Sequence, residues 1–78
     1  MNITPDFFAQ IAGGRAQAYL ASGQLELAIK WQEDVVRRKP EDAGAWKALA
    51  GIYEQAGRTE LAAQAQQRAR ASSQRPRE

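Results

Sequence analysis

The side chains that could do chemistry here are five aliphatic hydroxyls, two adjacent carboxylates and a glycine pair. A hydroxyl becomes a nucleophile only beside a base, and the chain has neither His nor Cys. Thr4, Ser22, Thr59, Ser72 and Ser73 all fall where helix ends are expected, so they read as caps for free backbone groups. Glu33 and Asp34 lie three to four residues from Lys30, Arg37 and Arg38, the spacing of ordinary pairing along a helix surface. Gly13-Gly14 lacks the Lys-Ser/Thr that a phosphate loop needs and follows no strand. The residues therefore point to no enzyme, no cofactor and no metal site.

If function lies in surfaces, the elements that form those surfaces matter more than single groups. The chain has 78 residues. A domain of that size buries only about 60–65% of the surface its unfolded form exposes, so one small domain of modest stability is expected. Without Cys or His there is no disulfide or zinc to staple it, which leaves helix packing or self-association. Neither a signal peptide nor a run of about 20 apolar residues occurs, so the chain reads as soluble, with a cytoplasmic setting favoured. Net charge is +2, and between Leu61 and Arg77 there are four Arg and no acid. That stretch reads as a solvated end and not as a nucleic-acid surface, which would interleave aromatics with a denser basic face.

Compared with itself at an offset of about 34 residues, the chain aligns Ala16 with Ala50, Tyr19 with Tyr53 and Gly23 with Gly57. Glu26/Glu60, Leu27/Leu61, Ala28/Ala62 and Gln32/Gln66 follow in the same register. A period of that length suits a helix–turn–helix unit that cannot bury its apolar stripe alone and so stacks on a neighbour. Helix one is predicted over 5–22, capped by Thr4, with Phe7, Phe8, Ile11, Ala12, Ala16, Tyr19 and Leu20 on its stripe. Good periodicity on both sides keeps Gly13-Gly14 inside it, and Gly23 ends it. Helix two is predicted over 25–39 with Leu27, Ala28, Trp31, Val35 and Val36 buried, and Pro40 stops it. Asp42 caps helix three, 43–56, whose stripe is Trp46, Leu49, Ala50 and Tyr53. Gly57 closes it, and Thr59 caps helix four, 60–72. Short loops make consecutive helices antiparallel, so the fold class is all-α, two stacked antiparallel helical hairpins.

Trp46, Leu49, Ala50, Tyr53, Gly57, Ala62 and Ala69 resemble the tetratricopeptide (TPR) signature. The first unit is similar at Ala16, Tyr19, Gly23, Ala28, Val35 and Pro40. The resemblance implies a domain over 1–74, with repeat one about 9–42 and repeat two about 43–74, followed by a disordered tail at 75–78. It also implies an α-solenoid fragment that binds a protein or peptide. The implied groove is lined by the first helix of each hairpin, with Gln10, Gly13, Gln17, Gly44, Lys47, Gly51, Glu54 and Gln55 as its contact residues. Only Lys47 fits the Lys, Asn and Arg set with which one subfamily clamps a terminal carboxylate, so no clamp is expected.

Repeat one departs from the signature, having Ala12 and Arg15 in place of Trp and Leu. Phe7, Phe8 and Ile11 are then the candidates to fill the space between its helices. Helix four offers only Leu61, Ala62, Ala65 and Ala69, with Gln66 at the expected bulky position, and so reads as the capping end of an array. At the other end, Phe7, Phe8 and Ile11 form a surface that lacks a neighbour. Either a preceding helix of a longer array covers it, or a second copy does, giving a homo-oligomer. The partner is thus expected to be a protein or peptide. The runner-up is a self-assembly element, and nucleic acid is disfavoured.

Overall fold

The computed structural model describes residues 5–73. Four helices run in chain order: α1 (Pro5–Ala21), α2 (Leu25–Arg38), α3 (Ala43–Gln55) and α4 (Thr59–Ser73). The expected cap at Thr4 and tail at 75–78 lie outside the described residues. α1 packs on α2 and α3 on α4 as two hairpins, and α2 meets α3 at the seam between them.

The turns explain the hairpins. Gly23 and Gly57 take φ of +78° and +76°, the left-handed conformation that glycine adopts without a Cβ clash. In the first turn the Gln24 N–H donates to the Tyr19 carbonyl at 2.8 Å and the Gly23 N–H to Leu20 at 3.0 Å. The second turn repeats this with Arg58 to Tyr53 at 2.8 Å and Gly57 to Glu54 at 3.1 Å. These paired bonds are the Schellman closure, which satisfies the last carbonyls of a helix. At the start of α3, Asp42 Oδ1 accepts from the Ala45 N–H at 3.2 Å, the cap read from the sequence. Thr59 is not a cap, however. It is the first residue of α4, and the Arg58 carbonyl before it accepts the Ala62 N–H at 2.9 Å.

The molecule is flat, with extents of 40 × 35 × 14 Å. In so thin a shape few side chains can be enclosed on all sides, and the core is correspondingly fine-grained. Ala9, Ala12, Ala16, Ala28, Ala45, Ala50, Ala62, Ala65 and Ala69 are buried, joined by Ile29, Val35, Val36, Leu49, Ile52 and Tyr53. Alanine lets helix axes approach closely, and the larger residues fill the seam.

Several stripe assignments shift as a result. Phe7, Phe8 and Ile11 do not fill α1–α2: they are 48%, 42% and 41% exposed, and buried Ala9, Ala12 and Ala16 make that contact instead. Leu27 and Leu61, one repeat apart, are both 37% exposed. Trp31 and Trp46 are half-buried at the edge of the core. Ile29, Ala45 and Ile52 are buried in addition to the expected stripes. So is Gln32, whose Nε2 donates to the Ala45 carbonyl at 3.0 Å. Gly13-Gly14 sits within unbroken helix, but not because backbones crowd there. A Cβ at Gly13 would meet Val35 Cγ2 at 3.9 Å, and one at Gly14 would meet nothing within 4 Å.

Candidate protein-binding surfaces

Phe7 and Phe8, one turn before Ile11 on α1, stack edge to face, their ring centroids 5.8 Å apart at an interplanar angle of 74°. An edge-to-face pair is a favoured aromatic geometry. α2 runs antiparallel beside it and places the Arg38 guanidinium 5.0 Å from the Phe8 ring centroid, while Arg15 reaches back from α1 to lie 5.2 Å from the Trp31 ring. Cations over ring faces are attracted by the ring quadrupole, which holds both rings in place without covering them.

The groove residues of the sequence reading all lie on the described helices. Gln10 and Gln17 are exposed and Gly13 half-buried on α1, whereas on α3 Gly44, Lys47, Glu54 and Gln55 are exposed and Gly51 half-buried. On α3 they lie opposite the buried Ala45, Leu49, Ile52 and Tyr53. Glu54 is engaged, accepting from Gln66 Nε2 at 2.9 Å. The main neighbour of α1 is α2, and those of α3 are α2 and α4, so the two halves of this groove belong to helices that pack chiefly on others.

A different surface carries two adjoining hollows. Cavities of about 430 and 420 Å³ lie on either side of Trp46 and Arg68 and share Leu49 and Tyr53 in their walls. The Arg68 guanidinium sits 4.9 Å over the Trp46 ring, and Trp46 Nε1 donates to the Pro40 carbonyl at 2.8 Å. Tyr53 is buried, and its hydroxyl donates to Glu33 Oε2 at 2.5 Å across the seam. Burial, then the bond to Glu33 and that carboxylate's charge, push the Tyr53 phenol up to about 12, against a smaller lowering by Arg58. A hydroxyl held in its neutral, donating form fixes Glu33 as an acceptor.

From sequence alone Glu33 reads as surface pairing and Trp46 as a core anchor, and neither marks this surface. A signal was available in the repeat. Shifted back by one unit, Trp46 and Arg68 become Ala12 and Asp34, which fall between the pairs Phe8–Arg38 and Arg15–Trp31 along the first hairpin. All three cation–ring pairs thus share one antiparallel register. In the first hairpin Asp34 takes the place of Arg68 and binds Arg38 at 2.8 Å and Arg37 at 3.6 Å.

Two helical hairpins closed by the same glycine turn and joined through a side-by-side seam define a helical-repeat protein. Residues 9–42 match the family described as Tetratricopeptide repeat. The first hairpin is thus similar to a tetratricopeptide repeat, a unit that in general serves as a non-enzymatic protein–protein interaction scaffold. The match falls on the unit with the sparser signature, which carries Ala16, Tyr19, Gly23, Ala28, Val35 and Pro40 but no Trp at Ala12. No curated protein and no solved structure matches the chain. Among the described residues, no helix is long and apolar enough to cross a membrane.

Proposed function

We propose that this chain is a TPR-type scaffold of one domain with two repeats, about 9–42 and 43–74, that binds a protein or peptide without chemistry of its own. Support comes from the family match to the first hairpin. The observation that carries the reading is the exposure of Phe7, Phe8 and Ile11 on neighbouring turns of α1. Apolar side chains gathered in this way mark an interaction surface, whereas scattered ones need no explanation. The groove of Gln10, Gly13, Gln17, Gly44, Lys47, Gly51, Glu54 and Gln55 is a second contact zone of the same scaffold, suited by its small and polar side chains to an extended backbone.

The same aromatic pair also suits a second copy of the chain, and this is the alternative: a homo-oligomeric element assembled through α1. Sedimentation across a range of concentrations separates the two. The scaffold reading expects a monomer whose captured partners are lost when Phe7→Asp and Phe8→Asp are combined. Concentration-dependent association abolished by that pair of changes would instead establish the assembly reading. Association unaffected by the changes would remove α1 from both.

A further inference from the structure

The hollows around Trp46 do not end at α3. A third cavity, of about 310 Å³, is lined by Lys30, Trp31, Asp34 and Arg38, and it shares Glu33 and Arg37 with the one beside Trp46. The three adjoin through these shared wall residues, lined in turn by α2, by α2 with α3 and α4, and by α3 with α4, and are taken together as a trough. The volumes are each within the range of ligand-holding clefts, roughly 300–1,000 Å³.

The linings together carry four cations, Lys30, Arg37, Arg38 and Arg68, against two carboxylates, Glu33 and Asp34. Glu33 is engaged by the Tyr53 hydroxyl, and Asp34 is shared between two guanidiniums. Arg37 keeps a side chain 69% exposed although it shares Asp34, Arg68 sits over the Trp46 ring, and Lys30 stands beside Arg37 on α2. The aromatic surface between these cations is Trp31 and Trp46, both half-buried. We infer that the trough receives an extended, internal acidic segment of a partner protein, its carboxylates meeting Arg37, Arg68 and Lys30 and an apolar side chain lying on Trp46 beside Leu61.

Three features favour this occupant. Positive groups spaced along a channel complement carboxylates that flank apolar residues on an extended strand. The fixed carboxylates of Glu33 and Asp34 on the channel wall oppose the regularly repeating phosphates of a nucleic acid, whereas a peptide can pass them with an uncharged residue. Arg68 is already held over Trp46, and Arg37 is paired with Asp34, so these two lose less side-chain freedom on binding than unpartnered cations would. This assignment rests on the scaffold reading and specifies a surface for it separate from α1 and from the groove.

The test is fluorescence anisotropy with a labelled peptide, Gly-Glu-Glu-Leu-Phe-Glu-Glu-Gly with an amidated C-terminus, alongside its counterpart with Lys for every Glu. The acidic peptide is expected to bind and the basic one not, with affinity falling as salt is raised. Arg37→Glu and Arg68→Glu should each weaken binding about tenfold or more, and Arg68→Gln less, while Arg70→Glu, at an exposed cation outside the three cavities, changes it less than about twofold. Circular dichroism of each variant checks that the helices remain, and the high exposure of Arg37 makes its variant the safest.

Absence of binding by the acidic peptide at low salt overturns the trough. So does an equal loss with Arg70→Glu, which would leave only general charge attraction, a loss with Lys47→Glu alone, which would move the site to the groove, or tighter binding of an oligothymidine. Loss on combining Phe7→Asp with Phe8→Asp while the Arg variants still bind overturns the trough alone and leaves the scaffold standing.

Discussion

Gln32 and Gln66 occupy the same position in successive repeats, and their amides do different work. Gln32 is buried, and its Nε2 bonds the Ala45 carbonyl on the neighbouring hairpin at 3.0 Å; Gln66 is exposed and turns back to Glu54 on its own hairpin at 2.9 Å. One glutamine joins two units, and the other lies on an open face. Removing the first leaves a hole and a lost seam bond, so Gln32→Ala should cost about 1–3 kcal/mol. Gln66→Ala should stay within about 0.5 kcal/mol. Urea unfolding of the two variants measures both, and equal losses would contradict the seam assignment.

The Tyr53–Glu33 bond makes a second prediction, one with a pH signature. Tyr53→Phe removes the donor from a buried pair and should cost about 0.5–1.5 kcal/mol at neutral pH, more if Glu33 is left poorly solvated. The phenol's folded value, about 12, lies above the ordinary value of 10.0. The folded state therefore holds the proton more tightly, and the stability this provides is complete below pH 10 and lost as pH rises toward 12. Subtracting the variant's stability from that of the wild type cancels the titration of Lys and Arg. The difference should be flat to about pH 10 and then shrink.

Glycines give a third test, in which identical substitutions have opposite signs. Gly14 is helical, exposed and open around its missing Cβ, so Gly14→Ala should stabilise the protein by about 0.5–1 kcal/mol. Gly23 and Gly57 hold positive φ, so alanine at either should cost about 1–2 kcal/mol. Thermal unfolding of the three variants suffices, and a gain at Gly23 would refute the turn geometry.

Trp46 gives a fourth. Trp46→Phe keeps an aromatic face for Arg68 but deletes the indole N–H that reaches the Pro40 carbonyl. Because this donor ties α3 to the loop before it, a loss of about 0.5–1.5 kcal/mol is expected. Arg68→Ala should cost less, about 0.5–1 kcal/mol, as expected for an exposed cation over a half-buried ring.

Local signals carried most of the fold. Gly23 and Gly57 fixed the two hairpin turns, and Asp42 the start of α3, because each acts through bonds to residues only a few positions away. Periodicity also found the side of α2, α3 and α4 that turns inward, but on α1 it included Phe7, Phe8 and Ile11, which are exposed. It could not give depth, and in a body 14 Å thick the inward side of Leu27 or Trp31 still reaches water. Gln32 and Glu33 escaped notice for a related reason. Each finds its partner across the seam, on Ala45 and Tyr53, and no short window of sequence contains both ends of such a bond. The trough went unread because it arises only when α2, α3 and α4 lie side by side.

That side-by-side order has a kinetic side. Helices that touch in the sequence in which they are joined close only short loops, so the search for native contacts is local and folding in microseconds to milliseconds is expected. Opening should be equally piecemeal: the outermost helices have one flank unsupported, so their amide hydrogens should exchange with solvent before those along the central seam.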